Sequence, residues 1–260
     1  MNFVIAIIAA LVGAVLYLFL NVIIRRMVAG VRSREDYDED VDGKMTKAEK
    51  KAFEESKAEE LEKKKIGFKE VKEEYKSRFF ITAAIGALLS GLAGYFFGLS
   101  LDTIISFIFF ADLTIITFVD MDTMEIPPVL NVIILVLGII SFILHPEIGI
   151  VSRLIGAASV SGFMLIVTLL VAGAFGGGDI KLMAAAGFMM GWKGILTAFL
   201  AGLFIGAAIG IVLIARRKKG GKEHMPFGPS LCIGLVASTL IRDQLIDWYL
   251  NMVKSMMIDY

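Results

Sequence analysis

Eight ionisable residues lie in or beside long apolar stretches of this 260-residue chain: Asp102, Asp112, Asp120, Asp122, Glu125, Arg153, Asp179 and Lys181. A charge at membrane depth is costly and usually marks a site. Asp102 falls in a short turn, where solvation accounts for it, and Arg153 near a span end, where its long side chain can snorkel. Asp112 lies in mid-span, eight residues before Asp120 and on a similar helix face, placed to hydrogen-bond within a bundle or to hold a proton. Asp120 and Asp179 differ from these. The first closes an apolar run, in Phe118-Val-Asp-Met-Asp-Thr-Met-Glu-Ile-Pro-Pro128, and the second opens one, in Phe175-Gly-Gly-Gly-Asp-Ile-Lys181. Two carboxyls brought together ionise one at a time. One can then act as base toward water while its protonated partner polarises a carbonyl, which is the chemistry of aspartic proteolysis. Gly176 to Gly178 let the backbone approach closely and take up conformations closed to other residues. A bland alternative makes those glycines a flexible turn and Asp179 a helix cap.

The elements that must position these groups are membrane spans. Hydrophobic residues make up 57% of the chain and mean hydropathy is +0.77, against roughly 45–50% hydrophobic in soluble domains. Apolar runs cover residues 2–24, 79–99, 101–119, 129–145, 149–174, 180–192, 194–215 and 228–248. This predicts an all-α polytopic membrane protein of about eight transmembrane helices. The first run lacks a basic lead-in and is followed by Arg25 and Arg26, so it reads as a retained anchor, not a cleaved signal. The net charge of zero hides a sharp division, because residues 25–78 carry 31 of the 52 charges. They read as a mixed-charge, mostly helical insert supported by pairs of opposite sign four residues apart. The chain divides into a first helix at 1–24, the insert at 25–78 and a seven-helix membrane core at 79–260.

Basic clusters at 25–78 and 216–219 belong in the cytoplasm under the positive-inside rule. Six spans between them satisfy that condition. Both termini are then external, the loops near 100, 146 and 193 are external, and the loops at 120–128 and 175–179 are cytoplasmic. Asp120 and Asp179 reach the same boundary although 59 residues separate them. One cysteine, Cys232, and two histidines, His145 and His224, exclude an internal disulfide and make a Cys/His zinc site implausible.

Four segments, in order, make the chain resemble the type IV prepilin peptidases, membrane aspartic proteases with a Gly-x-Gly-Asp motif. They are Phe19-Leu-Asn-Val-Ile-Ile-Arg25, Asp120-x-Asp-x-x-x-Ile-Pro127, Gly176-Gly-Gly-Asp-Ile-Lys181 and Pro226-Phe-Gly-Pro229. The resemblance covers nearly the whole chain outside 35–76. It implies that Asp120 and Asp179 are the catalytic pair, with Gly176, Gly178, Lys181, Asp122, Glu125 and Pro127 as supporting residues. It also implies cleavage of the short basic leader of prepilins or pseudopilins at the cytoplasmic face of the inner membrane. Asp122 and Glu125 would form an acidic lip for that leader. The partners implied are such substrates and the lipid bilayer; no nucleic acid is expected, and the oligomeric state is left open.

Two departures qualify the resemblance. Many bacterial members carry four cysteines in the first cytoplasmic loop, thought to bind zinc. None occurs there in this chain, so no metal is expected. Pro128 stands where the family often has Asp or Asn, and stiffens the loop. Proteolysis itself needs no cofactor. Many members also methylate the new N-terminus with S-adenosylmethionine, and the residues leave that second activity open. Two other readings stay in view: an intramembrane protease of the presenilin or signal peptide peptidase type, and a transporter or cation-binding protein using Asp112, Asp120, Asp122 and Asp179.

Overall fold

The computed structural model describes residues 2–41, 76–171, 173–216 and 226–241. Among them every regular element is helical: α1 (Asn2–Val41), α2 (Lys76–Phe97), α3 (Leu101–Thr123), α4 (Pro128–Leu144), a 3-10 turn (Pro146–Ile148), α5 (Ile150–Leu170), α6 (Gly177–Arg216) and α7 (Gly228–Ile241). The helices α1, α2, α3, α5 and α6 contain segments long and apolar enough to cross a membrane, while α4 and α7 are shorter apolar helices. The surface fits a membrane-embedded bundle. Large apolar side chains such as Phe3, Ile143, Leu169 and Phe204 face outward, and Asp112, Asn131, Arg153 and Asp179 are buried.

Two boundaries differ from the sequence reading. The first helix does not stop at residue 24 but continues through Val41, because the mixed-charge sequence after Arg25 continues the helix once the apolar run ends. The rest of the charged insert, 42–75, lies outside the described residues. The apolar runs 180–192 and 194–215 form one element, α6, broken at Gly191, whose φ of 75° and ψ of 174° are not helical. A side chain on Gly191 would collide with Ser152 and Ile148, so glycine suits both the conformation and the space.

α1 and α2 pack closely because Gly13, Gly86 and Gly94 leave no side chain between the backbones. Asn21 Nδ2 donates to Thr82 Oγ1 at 2.6 Å across that contact. α3 is the central helix: Phe109, Phe110, Leu113, Ile116 and Val119 are almost wholly buried. α5 meets α6 where Gly156 and Gly187 touch backbone to backbone.

The connections sort to two ends of the bundle. At one end His145 joins the turn after α4 to the start of α3, with Nε2 2.7 Å from Asp102 Oδ1 and Nδ1 2.9 Å from Glu147 Oε1. Asp102 is therefore partnered and not merely solvated. Burial pulls the His145 imidazole down from its ordinary value of 6.5, but the hydrogen bonds and charges of Asp102 and Glu147 outweigh it, and the net shift is upward. Glu147 moves downward from 4.5, chiefly through its own backbone N–H and further through His145. A raised histidine stabilises the fold fully below about pH 6.5 and loses that contribution as pH rises through the raised value. A lowered carboxyl contributes above about pH 4.5 and loses its contribution on acidification. His145→Ala should therefore lower the unfolding temperature more at pH 6 than at pH 9. Equal losses at the two pH values would show that the clamp contributes nothing through charge.

Arg153 does not snorkel. It is completely buried, and its guanidinium donates to the carbonyls of Ser141 at 3.0 Å, His145 at 3.1 Å, Phe188 at 3.1 Å and Met189 at 2.7 Å. The first two belong to the C-terminal end of α4. The other two belong to the turn of α6 that the break at Gly191 leaves without its continuing ladder. Helix C-termini carry partial negative charge, and free carbonyls in a bilayer have no water to turn to. One planar cation satisfies both ends.

Candidate active site

Asp120 occupies the last turn of α3 and is 4% exposed. Its carbonyl accepts from Met124 N at 2.8 Å, and Met124 has the left-handed φ of 55° that ends the helix and turns the chain into Glu125-Ile-Pro127. Pro128 then starts α4 at its first position, where a missing N–H costs nothing. Asp179 is in the first turn of α6 and 7% exposed.

Three mutual contacts bring the separate motifs together. Ile126, buried in the loop after α3, lies against Gly178, where an added Cβ would come within 2.9 Å of Ile126 Cβ. Phe175, ahead of the glycine turn, stacks on Phe227 of the Pro-Phe-Gly-Pro segment, with ring centroids 5.5 Å apart. Gly228 of that segment donates its backbone N–H to Asp120 Oδ2 at 3.0 Å. The triangle closes on itself and leaves Asp179 within electrostatic reach of Asp120. Gly176 N–H donates to Asp179 Oδ2 at 3.3 Å, while Asp179 Oδ1 has no hydrogen-bond partner among the described residues. Each carboxyl is thus fixed through one oxygen by a backbone N–H, and on Asp179 the other oxygen is uncommitted.

The glycines do different work. Gly176 supplies a donor, Gly178 admits Ile126, and Gly228 does both, since a Cβ there would lie 2.6 Å from Asp120 Oδ2. Gly228→Ala should push that carboxyl aside, and if Asp120 is a reacting group the rate should fall about 100-fold, which a misplacement of about 1 Å can cost. A rate assay on protein shown to be correctly folded checks this, and wild-type turnover would refute it. Gly228 was legible only as part of a motif; a backbone donor leaves no signal of its own.

The other residues singled out from sequence take different positions. Asp122 is held by Arg78 at the start of α2, with both guanidinium nitrogens 2.5 Å from its oxygens, and Arg78 also lies over Phe118 at 5.6 Å. Of the acidic lip, therefore, only Glu125 is exposed without such a partner among the described residues. The same pair fixes the end of the charged insert to the Asp120 end of the bundle. Pro127 is half-buried and Lys181 is exposed, lining a groove between α4, α5 and α6. Asp112 is 3% exposed, and neither carboxyl oxygen has a partner among the described residues. Cys232 is buried within electrostatic reach of Asp112, Asp120 and Asp179. No three His, Cys, Asp or Glu side chains among the described residues form a group able to hold a metal.

A helical membrane bundle that holds two buried aspartates on glycine-supported turns fits a polytopic membrane peptidase, and the comparisons with known proteins point the same way. A model of the type IV leader peptidase family matches residues 107–211, which include both aspartates. The chain is 30% identical over 168 residues to the prepilin leader peptidase/N-methyltransferase of Bacillus subtilis (strain 168), covering 65% of this chain and 68% of that protein. It is 32% identical over 148 residues to the protein of the same name from Aeromonas salmonicida (strain A449), covering 54% of this chain and 50% of that protein. With that of Legionella pneumophila it shares 26% over 182 residues, covering 67% and 62%. No solved structure matches the chain significantly. The chain belongs to the type IV leader peptidase family, and its class of activity is that of a prepilin peptidase.

Proposed function

We propose that Asp120 and Asp179 are the catalytic pair and that they cut the leader of a prepilin or pseudopilin at the cytoplasmic boundary of the inner membrane. The observation that supports this reading is the closed triangle of contacts, which draws the two aspartate motifs together, with each buried carboxyl oriented by a backbone N–H and Asp179 within electrostatic reach of Asp120. In the reaction one carboxylate takes a proton from water as the water oxygen attacks the scissile carbonyl. The other carboxyl, protonated, donates to the carbonyl oxygen, and the proton gained by the base passes to the departing amine. Ionised Asp120 and Asp179 together could not perform both roles; one proton shared between them can.

Sidedness follows from charge. Arg78 closes the mixed-charge insert and grips Asp122, two residues from Asp120, which supports putting the aspartate end with the basic clusters, the cytoplasmic end under the positive-inside rule. The loops near 100 and 146 meet at the other end through Asp102 and His145. Counting the two halves of α6 separately supports eight crossings. The seven helices after the insert then form the catalytic core.

The relatives are named N-methyltransferases as well as peptidases. Among the described residues, the groove beside Lys181 is lined almost wholly by apolar side chains, and the cavity at His145 lies at the opposite end from the aspartates. Neither offers the set of donors that would hold S-adenosylmethionine beside the new N-terminus, so no reaction step is assigned to it. The test of the proposal is a substrate panel for the purified protein. Cleavage of a prepilin just before its apolar helix supports it; cleavage only within a span would favour an intramembrane protease of another type.

A further inference from the structure

We propose that the groove beside Lys181 receives the apolar helix that follows the scissile bond, so that the enzyme grips its substrate within the bilayer as well as by its leader. This rests on the catalytic reading above. The groove has a volume of about 410 Å³ and is walled by Asn131 and Leu135 of α4, Ala157 of α5, and Lys181, Ala184 and Ala185 of α6. Three alanines in the wall let another helix backbone come close, which is how helices associate where lipid supplies no hydrophobic drive. Leu135 is 41% exposed, so the groove opens toward the lipid, from which such a helix would arrive.

Its place ties it to the chemistry. The helix that carries Asp179 carries Lys181 about half a turn further on and Ala184 and Ala185 about one and a half turns further on. α4, the facing wall, follows directly from the loop that packs Ile126 on Gly178. An occupant therefore has its N-terminal end beside the two aspartates, where an enzyme cutting just before an apolar helix must hold it.

Asn131 gives the groove a polar requirement. It is 7% exposed, yet neither Oδ1 nor Nδ2 has a partner among the described residues. Buried amides are almost always hydrogen-bonded, and nothing in hydrocarbon can substitute. Asn131 lies three residues beyond Pro128, about 4.5 Å of helix from the boundary, so the partner that fits is a polar group in the first turns of the incoming helix, reached by a small movement of the wall that closes over the amide. A lipid tail meets the apolar wall but leaves Asn131 unpaired.

The test uses the full-length protein in lipid nanodiscs with a full-length prepilin. Ala184→Leu, which fills the groove, and Asn131→Leu should each raise KM for the prepilin at least fivefold, with kcat changed less than twofold. In an Asp179→Asn background, a photo-crosslinking amino acid at position 135 should capture the substrate helix, and one at lipid-facing position 204 should not. The crosslink decides the matter if Ala184→Leu fails to fold. Unchanged KM in both variants, or capture of lipid alone at position 135, would overturn the proposal while leaving the peptidase reading intact. A wild-type protein that cuts no prepilin would instead overturn that reading, and the groove assignment with it.

Discussion

Asp120→Asn and Asp179→Asn should each lower prepilin cleavage by at least about 10³-fold, and the double substitution should be scarcely worse than either alone. Groups that act as one unit lose their whole contribution when any member is removed. Each substitution is nearly isosteric, so Gly228 N–H and Gly176 N–H can still find an oxygen on the side chain. The fold should therefore survive, which separates lost chemistry from lost structure. Asparagine can neither accept the proton from water nor hold one for the carbonyl. Losses that simply multiply in the double variant would mean that the aspartates act independently, not as a pair.

The second large effect is on stability. Arg153→Met should destabilise the protein by about 3 kcal/mol or more, because four carbonyls lose a charged donor together and a hydrogen bond to a charged group contributes roughly 1.5–3 kcal/mol. Arg153→Lys should recover only part of the loss, since an ammonium cannot span both helix ends with a planar fork. Reversible unfolding in mixed detergent micelles measures this. A loss below about 0.5 kcal/mol for Arg153→Met would show that water or other groups satisfy those carbonyls.

Arg153 also shows where sequence reading stops. Its position near a span end suggested snorkelling, since local sequence reveals the length of a side chain but not the carbonyls around it. Two of them, those of Phe188 and Met189, lie where α6 breaks at Gly191, one residue ahead of the Trp192-Lys-Gly194 separator seen in the sequence. Conversely, the meeting of the Asp120 and Asp179 motifs at one end of the bundle was legible because depth in a membrane is encoded along the chain. Counting spans places both at one boundary without any knowledge of packing. Asp122 was misjudged as an open part of an acidic lip, because its partner, Arg78, sits 44 residues earlier in a segment whose sequence reads as a solvated insert. The all-helical architecture followed from hydropathy, whereas the continuation of α1 to Val41 did not: a change from apolar to charged residues ends a membrane span without ending a helix.

The central claim is that the two aspartates form one site that severs the leader at the membrane boundary. Intact mass spectrometry of a prepilin incubated with the purified protein, with and without S-adenosylmethionine, tests it most directly. A paired-aspartate site predicts loss of the leader at a single peptide bond just before the apolar helix, the same bond in both conditions; any methylation registers separately, as a gain of one methyl group on the mature product. It predicts an unchanged prepilin when Asp120→Asn or Asp179→Asn protein is used. Cleavage by either variant at the wild-type rate, or wild-type cleavage at a bond inside the apolar helix, would contradict it.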